Sequence, residues 1–390
     1  RLVGSEMCIR DSYATRSRFV VSNYGMGGSL QSGMAESRWG GPAAALLKWE
    51  TTNQFDIGLD IAFLNNRVNL TVDAYYKKTK DLLLDKLIPM SSGFSRIQAN
   101  YGNVTNKGLE ISGHFIPVKA RNFLWSIDAN ISFNRNKVGG LDADQYSDVA
   151  WGIENMFLVR NGEPIGTLYG YVEDGFYDNE AEVRADPLYR NETDSKVKSM
   201  VGEVKYKNLD DDPVIDNRDR QIIGNTNPDY QYGITNTLEW KNWTFSFFLQ
   251  GTQGNDVLNV NLKKFDMASV DNMPYFIYNN RWTAENRANA KWPRANRTST
   301  RSMRASDRYI EDGSYLRCKN VSLSYRFRHP MKFVESINLV ASVSNLFTIS
   351  GYSWMDPDVN SFGSDPKRRG VDMASYPSAR TFNFGVQIGF

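Results

Sequence analysis

The chain has almost no cysteine, almost no histidine and no long hydrophobic run. Its two cysteines, Cys8 and Cys318, are too few for a disulfide framework. With two histidines and no cysteine pair at ligand spacing, nothing supports a zinc site. The longest apolar runs, such as Ala43–Leu47, fall far short of the roughly 20 residues that a membrane helix needs. An α-helical inner-membrane protein is therefore excluded. A β-barrel is not, because barrels hide their apolarity in alternation and read as hydrophilic on average. An excess of one charge is also missing, with Lys+Arg 46 against Asp+Glu 44, so there is no argument for nucleic acid. No Ser/His/Asp or Cys/His arrangement can be assembled. His114 falls mid-strand and His329 in a turn beside Pro330, and both read as solvated or lumen-facing. A β-sandwich enzyme would need paired carboxylates across a cleft, and none can be placed. The first residues, Arg1–Ser12, show neither an apolar h-region nor a clear period, so they carry no secretory signal. They read as a non-native or irregular leader, with barrel-like sequence over 13–390.

What the chain has in quantity is aromatic residues, 20 Tyr, 21 Phe and 9 Trp, and alternation. From Phe382 to Phe390 every even position is apolar and every odd one is Asn, Gly or Gln. Successive strand side chains point to opposite faces, so this is a strand with one greasy and one small, polar face. Phe55–Phe63 and Val68–Tyr76 repeat the pattern around Asn65-Asn66, a pair that tolerates positive φ. Further hairpins are expected for Leu109–Phe115 with Trp125–Phe133, Tyr230–Trp240 with Trp243–Leu249, and Val321–Phe327 with Ile337–Asn345. Arg18–Asn23 reads as a strand, Met26–Trp39 as a Gly- and Ser-rich loop, and Pro42–Trp49 as a short helical turn. The connections alternate strictly between short and long. Bacterial outer-membrane barrels have short periplasmic turns and long extracellular loops. The expected fold class is thus all-β: a transmembrane antiparallel β-barrel, here a partial barrel of roughly nine or ten strands. Trp240 and Trp243 flank a short turn, where an aromatic girdle would sit.

The motifs carry a resemblance. Trp49-Glu50-Thr51-Thr52, Gly58-Leu59-Asp60, Ala74-Tyr75-Tyr76-Lys77-Lys78-Thr79, Asn106-Lys107-Gly108-Leu109-Glu110, Tyr309–Arg317 and Ser344-Asn345-Leu346-Phe347 together resemble the SusC/RagA-like family of TonB-dependent outer-membrane transporters. The resemblance covers nearly all of 13–390. It implies the carboxy-terminal half of a barrel of about twenty-two strands, a size that carries a plugged lumen. It implies too that the plug domain lies outside this chain. The resemblance further implies uptake of oligosaccharides, glycans or peptides, energy from the TonB complex acting on the plug, and a SusD-like surface lipoprotein as partner. The setting would be the outer membrane of a Bacteroidetes-type bacterium, with lipid against the barrel. It implies no enzyme, and an aromatic terminal residue, Phe390, read as an assembly signal. The alternatives are a siderophore or cobalamin receptor of the wider class, and a soluble β-sheet carbohydrate-binding or adhesin protein.

One acidic loop stands out. Asn208, Asp210, Asp212, Asp216 and Asp219 offer oxygens at positions 1, 3, 5, 9 and 12, with the Val214 carbonyl at 7. That is the spacing of EF-hand calcium ligands, so Ca²⁺ is a possible cofactor. Pro213 stands where such loops carry Gly, and Asn208 and Asp219 replace the usual Asp and Glu. The other reading is an acidic solvated turn. Trp151, Tyr169, Tyr171, Trp282, Trp292 and Trp354 lie in long connections, where they are candidates to stack on sugar rings or to pack the loops together. The basic stretch Lys291–Arg304 reads first as a solvated face.

Overall fold

The computed structural model describes residues 19–26, 29–36, 47–92, 94, 96–149, 153–210, 212–265, 272–295, 304–331 and 333–390. A nine-stranded antiparallel meander dominates it. Its strands are β1 Thr51–Phe63, β2 Val68–Lys80, β3 Asn103–Ala120, β4 Phe123–Gly139, β5 Tyr230–Trp240, β6 Trp243–Gln253, β7 Tyr315–Met331, β8 Val334–Ser350 and β9 Thr381–Gly389. Each pairs only with its sequence neighbours, so spatial order equals chain order. Among the described residues the sheet does not close, and β1 and β9 are its edges.

Register fixes the two faces. Phe63, Val68, Phe115, Ile127, Asn236, Phe247, Val321, Val343 and Phe382 form one cross-strand row. The neighbouring row, Ala62, Asn69, His114, Asp128, Thr235, Phe248, Asn320, Ser344 and Thr381, lies on the opposite face. Phe55, Ile57, Leu59, Leu70, Ile111, Phe245, Leu323, Leu339, Phe384 and Ile388 share the first face. Many of them stand open, Phe384 at 84% and Phe55 at 68%. Exposed apolar side chains over a whole sheet face are what a lipid-facing wall requires.

Turn chemistry closes the short ends. Asn65 and Asn66 take φ of 55° and 60°, and the Arg67 N–H donates to the Leu64 carbonyl at 3.2 Å. Lys241, at φ 53°, turns the hairpin that pairs Trp240 with Trp243.

The hydrophobic core lies not in the wall but in the long connections. Strands Gln145–Val149, Ile153–Val159, Thr167–Gly170 and Gln221–Asn225 form a four-stranded sheet. Asp256–Asn259 pairs with Ile310–Asp312 and, in parallel, with Val371–Asp372. Ile153, Phe157, Leu168, Leu258, Ile277, Tyr309 and Val371 are fully buried in one cluster. Short helices Glu180–Ala185 and Asp194–Met200 start at side-chain caps from Asn179 and Thr193. They pack a second cluster around Tyr177, Val183 and Val197. A third cluster, Val104, Val138, Leu141 and Val159, fastens this cap to the upper ends of β3 and β4.

Three sequence expectations change. The Gly- and Ser-rich stretch read as a loop contains the strand Ser29–Glu36, paired with Phe19–Met26. The connection after β2 contains a hairpin, Leu83–Leu87 with Arg96–Asn100. The end of the expected helical turn, residues 47–49, is irregular, and 42–46 lie outside the described residues.

Candidate functional site

The polar face of the wall is built from alternate positions, and the positions between them are mostly apolar. Asn69 and Thr71 of β2, Ser112 and His114 of β3, Asp128 and Asn130 of β4, Thr235 of β5 and Phe248 of β6 line a shallow cavity of about 290 Å³. His114 Nδ1 and Asp128 Oδ1 stand 2.7 Å apart across the strands. The Thr71 hydroxyl donates to Asp60 Oδ1 at 2.6 Å. Asp56, Asp60, Asp73, Glu110, Asp128 and Glu239 take positions on this face against Lys77 and Lys119, so the face is acidic on balance over β1–β5. The arrangement offers hydroxyl, amide and carboxylate groups to a polar solute. Among the described residues no cluster of His, Cys, Asp and Glu is placed to hold a metal ion. Sequence reading passed over this cavity because, Phe248 apart, the side chains named here are ordinary polar strand positions. Only the register brings them together.

The acidic loop is drawn around a cation of its own. Arg218 contacts Asp210 at 3.1 Å, Asp216 at 3.0 Å, and Asp212. The hydrogen bonds from Arg218 hold the Asp216 carboxyl below its usual range. Asp219 is buried and accepts from the backbone N–H groups of Leu209 at 2.8 Å and Asp216 at 2.7 Å. Asn208 turns its amide onto the Asp212 carbonyl at 2.6 Å. The six residues named for calcium are thus near one another, but three of the carboxylates face a guanidinium. Calcium would have to displace Arg218.

The candidate sugar-stacking aromatics separate. Trp151 lies outside the described residues. Tyr171, Trp282 and Trp292 are buried, at 8%, 7% and 8%. Trp282 donates to Asp178 Oδ1 at 3.1 Å. Trp292 meets Phe276 edge-on and carries Arg308 over its ring. Tyr169 and Trp354 are half-buried, against Tyr146 and Phe265. The three buried rings pack the cap, so they are not stacking platforms as placed. His329 lies in β7 rather than in a turn. Phe390 follows β9 and is 86% exposed.

A family profile described as "TonB dependent receptor-like, beta-barrel" matches residues 12–346. The chain belongs to that family. It is 33% identical over 390 residues to TonB-dependent receptor P26 of Formosa agariphila, covering 97% of this chain and 38% of that protein. It is 29% identical over 353 residues to TonB-dependent receptor SusC of Bacteroides thetaiotaomicron, covering 88% of this chain and 32% of that protein. The chain therefore spans about a third of the length of these relatives. Its fold matches the RagAB peptide importer in the "closed-closed" state with TM-score 0.75 at 19% identity, covering 97% of this chain and 39% of that one. In the "open-open" state the TM-score is 0.72 at 20% identity. Family membership makes this an outer-membrane protein of the TonB-dependent receptor β-barrel family, and in such a barrel the apolar face of β1–β9 turns toward lipid and the polar face toward the lumen.

Proposed function

We propose that this chain forms part of the wall and of the extracellular cap of a TonB-dependent importer for oligosaccharides, working with a SusD-like surface lipoprotein. One observation carries the reading: an apolar-out, polar-in wall whose long connections fold into a packed cap on one rim. Such a cap can hold a solute or a lipoprotein partner above the lumen, and the hydroxyl- and amide-lined inner wall suits a hydroxyl-rich solute. Transport itself needs the plug and the TonB complex, so the activity belongs to the whole transporter. No part of the reading calls for catalysis.

Deletion of the full-length gene in its native host tests it. Growth on an oligosaccharide should fail and return on complementation, and a surface lipoprotein should co-purify with the tagged transporter. Loss of growth on peptides with unchanged glycan growth would replace the substrate. Loss of metal-chelate uptake would move the protein to the siderophore class. A transporter that purifies without a lipoprotein would remove the partner.

A further inference from the structure

The short-turn rim of the wall is basic and laced together. Arg67, Lys119, Arg121, Lys241, Arg326 and Arg328 stand there, against Glu239 and Glu335. Among the described residues none of those six cations is ion-paired. Neighbouring turns are cross-bonded. The Arg67 guanidinium donates to the carbonyls of Ile116 at 2.9 Å and Pro117 at 2.6 Å. The Lys241 N–H donates to the Asn122 carbonyl at 3.0 Å, and the Arg326 N–H to the Asn242 carbonyl at 3.0 Å. Arg121 and Lys241 therefore sit on adjacent, fixed turns, and both are exposed.

Their position relative to the apolar face gives the patch a meaning. Trp240 is on the lipid face by register, and the Lys241 ammonium lies over its ring at 5.2 Å. Next to it, Trp243 meets Tyr325 edge-on at 4.6 Å, and Tyr325 meets Phe327 at 4.6 Å. Aromatic rings of this kind settle at the level of lipid headgroups. Lys241 stands at that ring row and Arg121 is exposed on the adjoining turn, and cations at this level face the headgroup phosphates of a bilayer. Lys119, Arg326 and Arg328 take lumen-side positions and add to the potential.

We propose that Arg121 and Lys241, with Trp240, form a binding site for an anionic phospholipid headgroup of the periplasmic leaflet. The site continues the lipid-facing wall rather than the lumen, so it does not depend on the transported substrate. Each cation near an anionic membrane surface is worth roughly a fivefold gain in affinity, hence roughly 25-fold for the pair.

The test uses the full-length transporter in detergent, titrated with phosphatidylglycerol or phosphatidylethanolamine and read by native mass spectrometry. Phosphatidylglycerol should be retained in excess. Arg121→Gln with Lys241→Gln should erase that excess. Lys107→Gln should not, although Lys107 also stacks on a lipid-face ring, Tyr76, at 5.6 Å. Equal retention of the two lipids by the wild-type protein would overturn the proposal, as would an undiminished excess in the double variant. If the double variant fails to assemble, the wild-type protein still decides. Raising salt from about 0.05 to 0.5 M shortens the screening length about threefold. A phosphatidylglycerol excess that survives this unchanged would also overturn the site.

Discussion

Arg317 and Asp356 form a buried ion pair that ties strand β7 to the last long connection. They are 1% and 6% exposed. Arg317 also donates to Thr348 Oγ1 at 3.0 Å and Ser378 Oγ at 3.2 Å. Asp356 accepts from the backbone N–H groups of Ser378 and Asp358, each at 3.0 Å. Every charge in the group is hydrogen-bonded, which is the condition under which a buried pair holds. Burial alone would push the Asp356 carboxyl up, but the two N–H groups and Arg317 outweigh it and hold it below its usual range.

The first prediction is that Asp356→Asn frees the connection 351–380 while the wall persists. Removing one partner of a buried pair costs about 3–5 kcal/mol. Limited proteolysis of the full-length protein should cut within 351–380, and heat-modifiable gel mobility should stay unchanged. Intact loops would disprove the anchoring role. The pH sign follows from the lowered carboxyl. Its stabilisation is complete above the unfolded value of an aspartate, near 4. It is lost as pH falls below that value through the folded one. The same cuts should therefore appear in the wild-type protein at acid pH and disappear on return to neutrality.

The second prediction separates the two faces. Leu323 and Ser322 are neighbours on β7 with opposite faces, lipid and lumen. Leu323→Arg should cost about 2–4 kcal/mol, whereas Ser322→Arg should cost much less. Reversible denaturation of the full-length protein in lipid vesicles gives both values. Equal costs would mean that the faces have been assigned wrongly.

How much of this was legible in the chain depends on where each side chain finds its partners. Phe55–Phe63 declared itself because lipid imposes one rule on every second residue. The hairpins, their turns and the two faces followed from that rule. Strand ends were read short: β3 runs from Asn103, not Leu109, because Asn106 and Lys107 rise above the apolar zone and no longer alternate. The cap was not legible at all. Leu168, Leu258 and Val371 meet in one core although about 200 residues of chain separate the first from the last, and their strands are only 2–4 residues long. The acidic loop was seen correctly as a cluster, yet its spacing said nothing of Arg218, which lies inside it.

The third prediction follows from Arg218. The guanidinium already occupies the space between Asp210, Asp212 and Asp216 and pairs with all three, so chelator should leave the melting temperature of the wild-type transporter unchanged. Arg218→Gln should leave three carboxylates facing one another and create a calcium-dependent rise in melting temperature. A calcium response in the wild-type protein that Asp210→Ala with Asp212→Ala abolishes would instead establish the EF-hand-like reading. No response in either protein would leave an acidic turn.

The last prediction concerns a column of alternating cations and rings inside the cap. Arg160 lies over Tyr169 at 5.8 Å and Arg220 over the same ring at 4.9 Å. Arg220 also faces Tyr171 at 5.6 Å, and Arg304 faces Tyr171 at 5.1 Å and Tyr206 at 5.8 Å. Arg220 is buried, and its Nη2 donates to the carbonyls of Asn155 at 2.7 Å and Tyr169 at 2.9 Å. A planar guanidinium can stack on two rings and still donate in its own plane, and an ammonium cannot. A desolvated cation–ring contact is worth about 2 kcal/mol, and a charged hydrogen bond about 1.5–3 kcal/mol. Arg220→Lys should therefore loosen the cap by about 2–4 kcal/mol despite keeping the charge. Hydrogen exchange should speed up across 145–171 and 204–225, where the column's rings and carbonyls lie, and stay slow in β5 and β6. Arg220→Met should behave like Arg220→Lys, because the column depends on planar stacking and forked donation rather than on charge. If Arg220→Lys instead exchanges at the wild-type rate while Arg220→Met does not, the charge alone holds the column and the stacking contributes nothing.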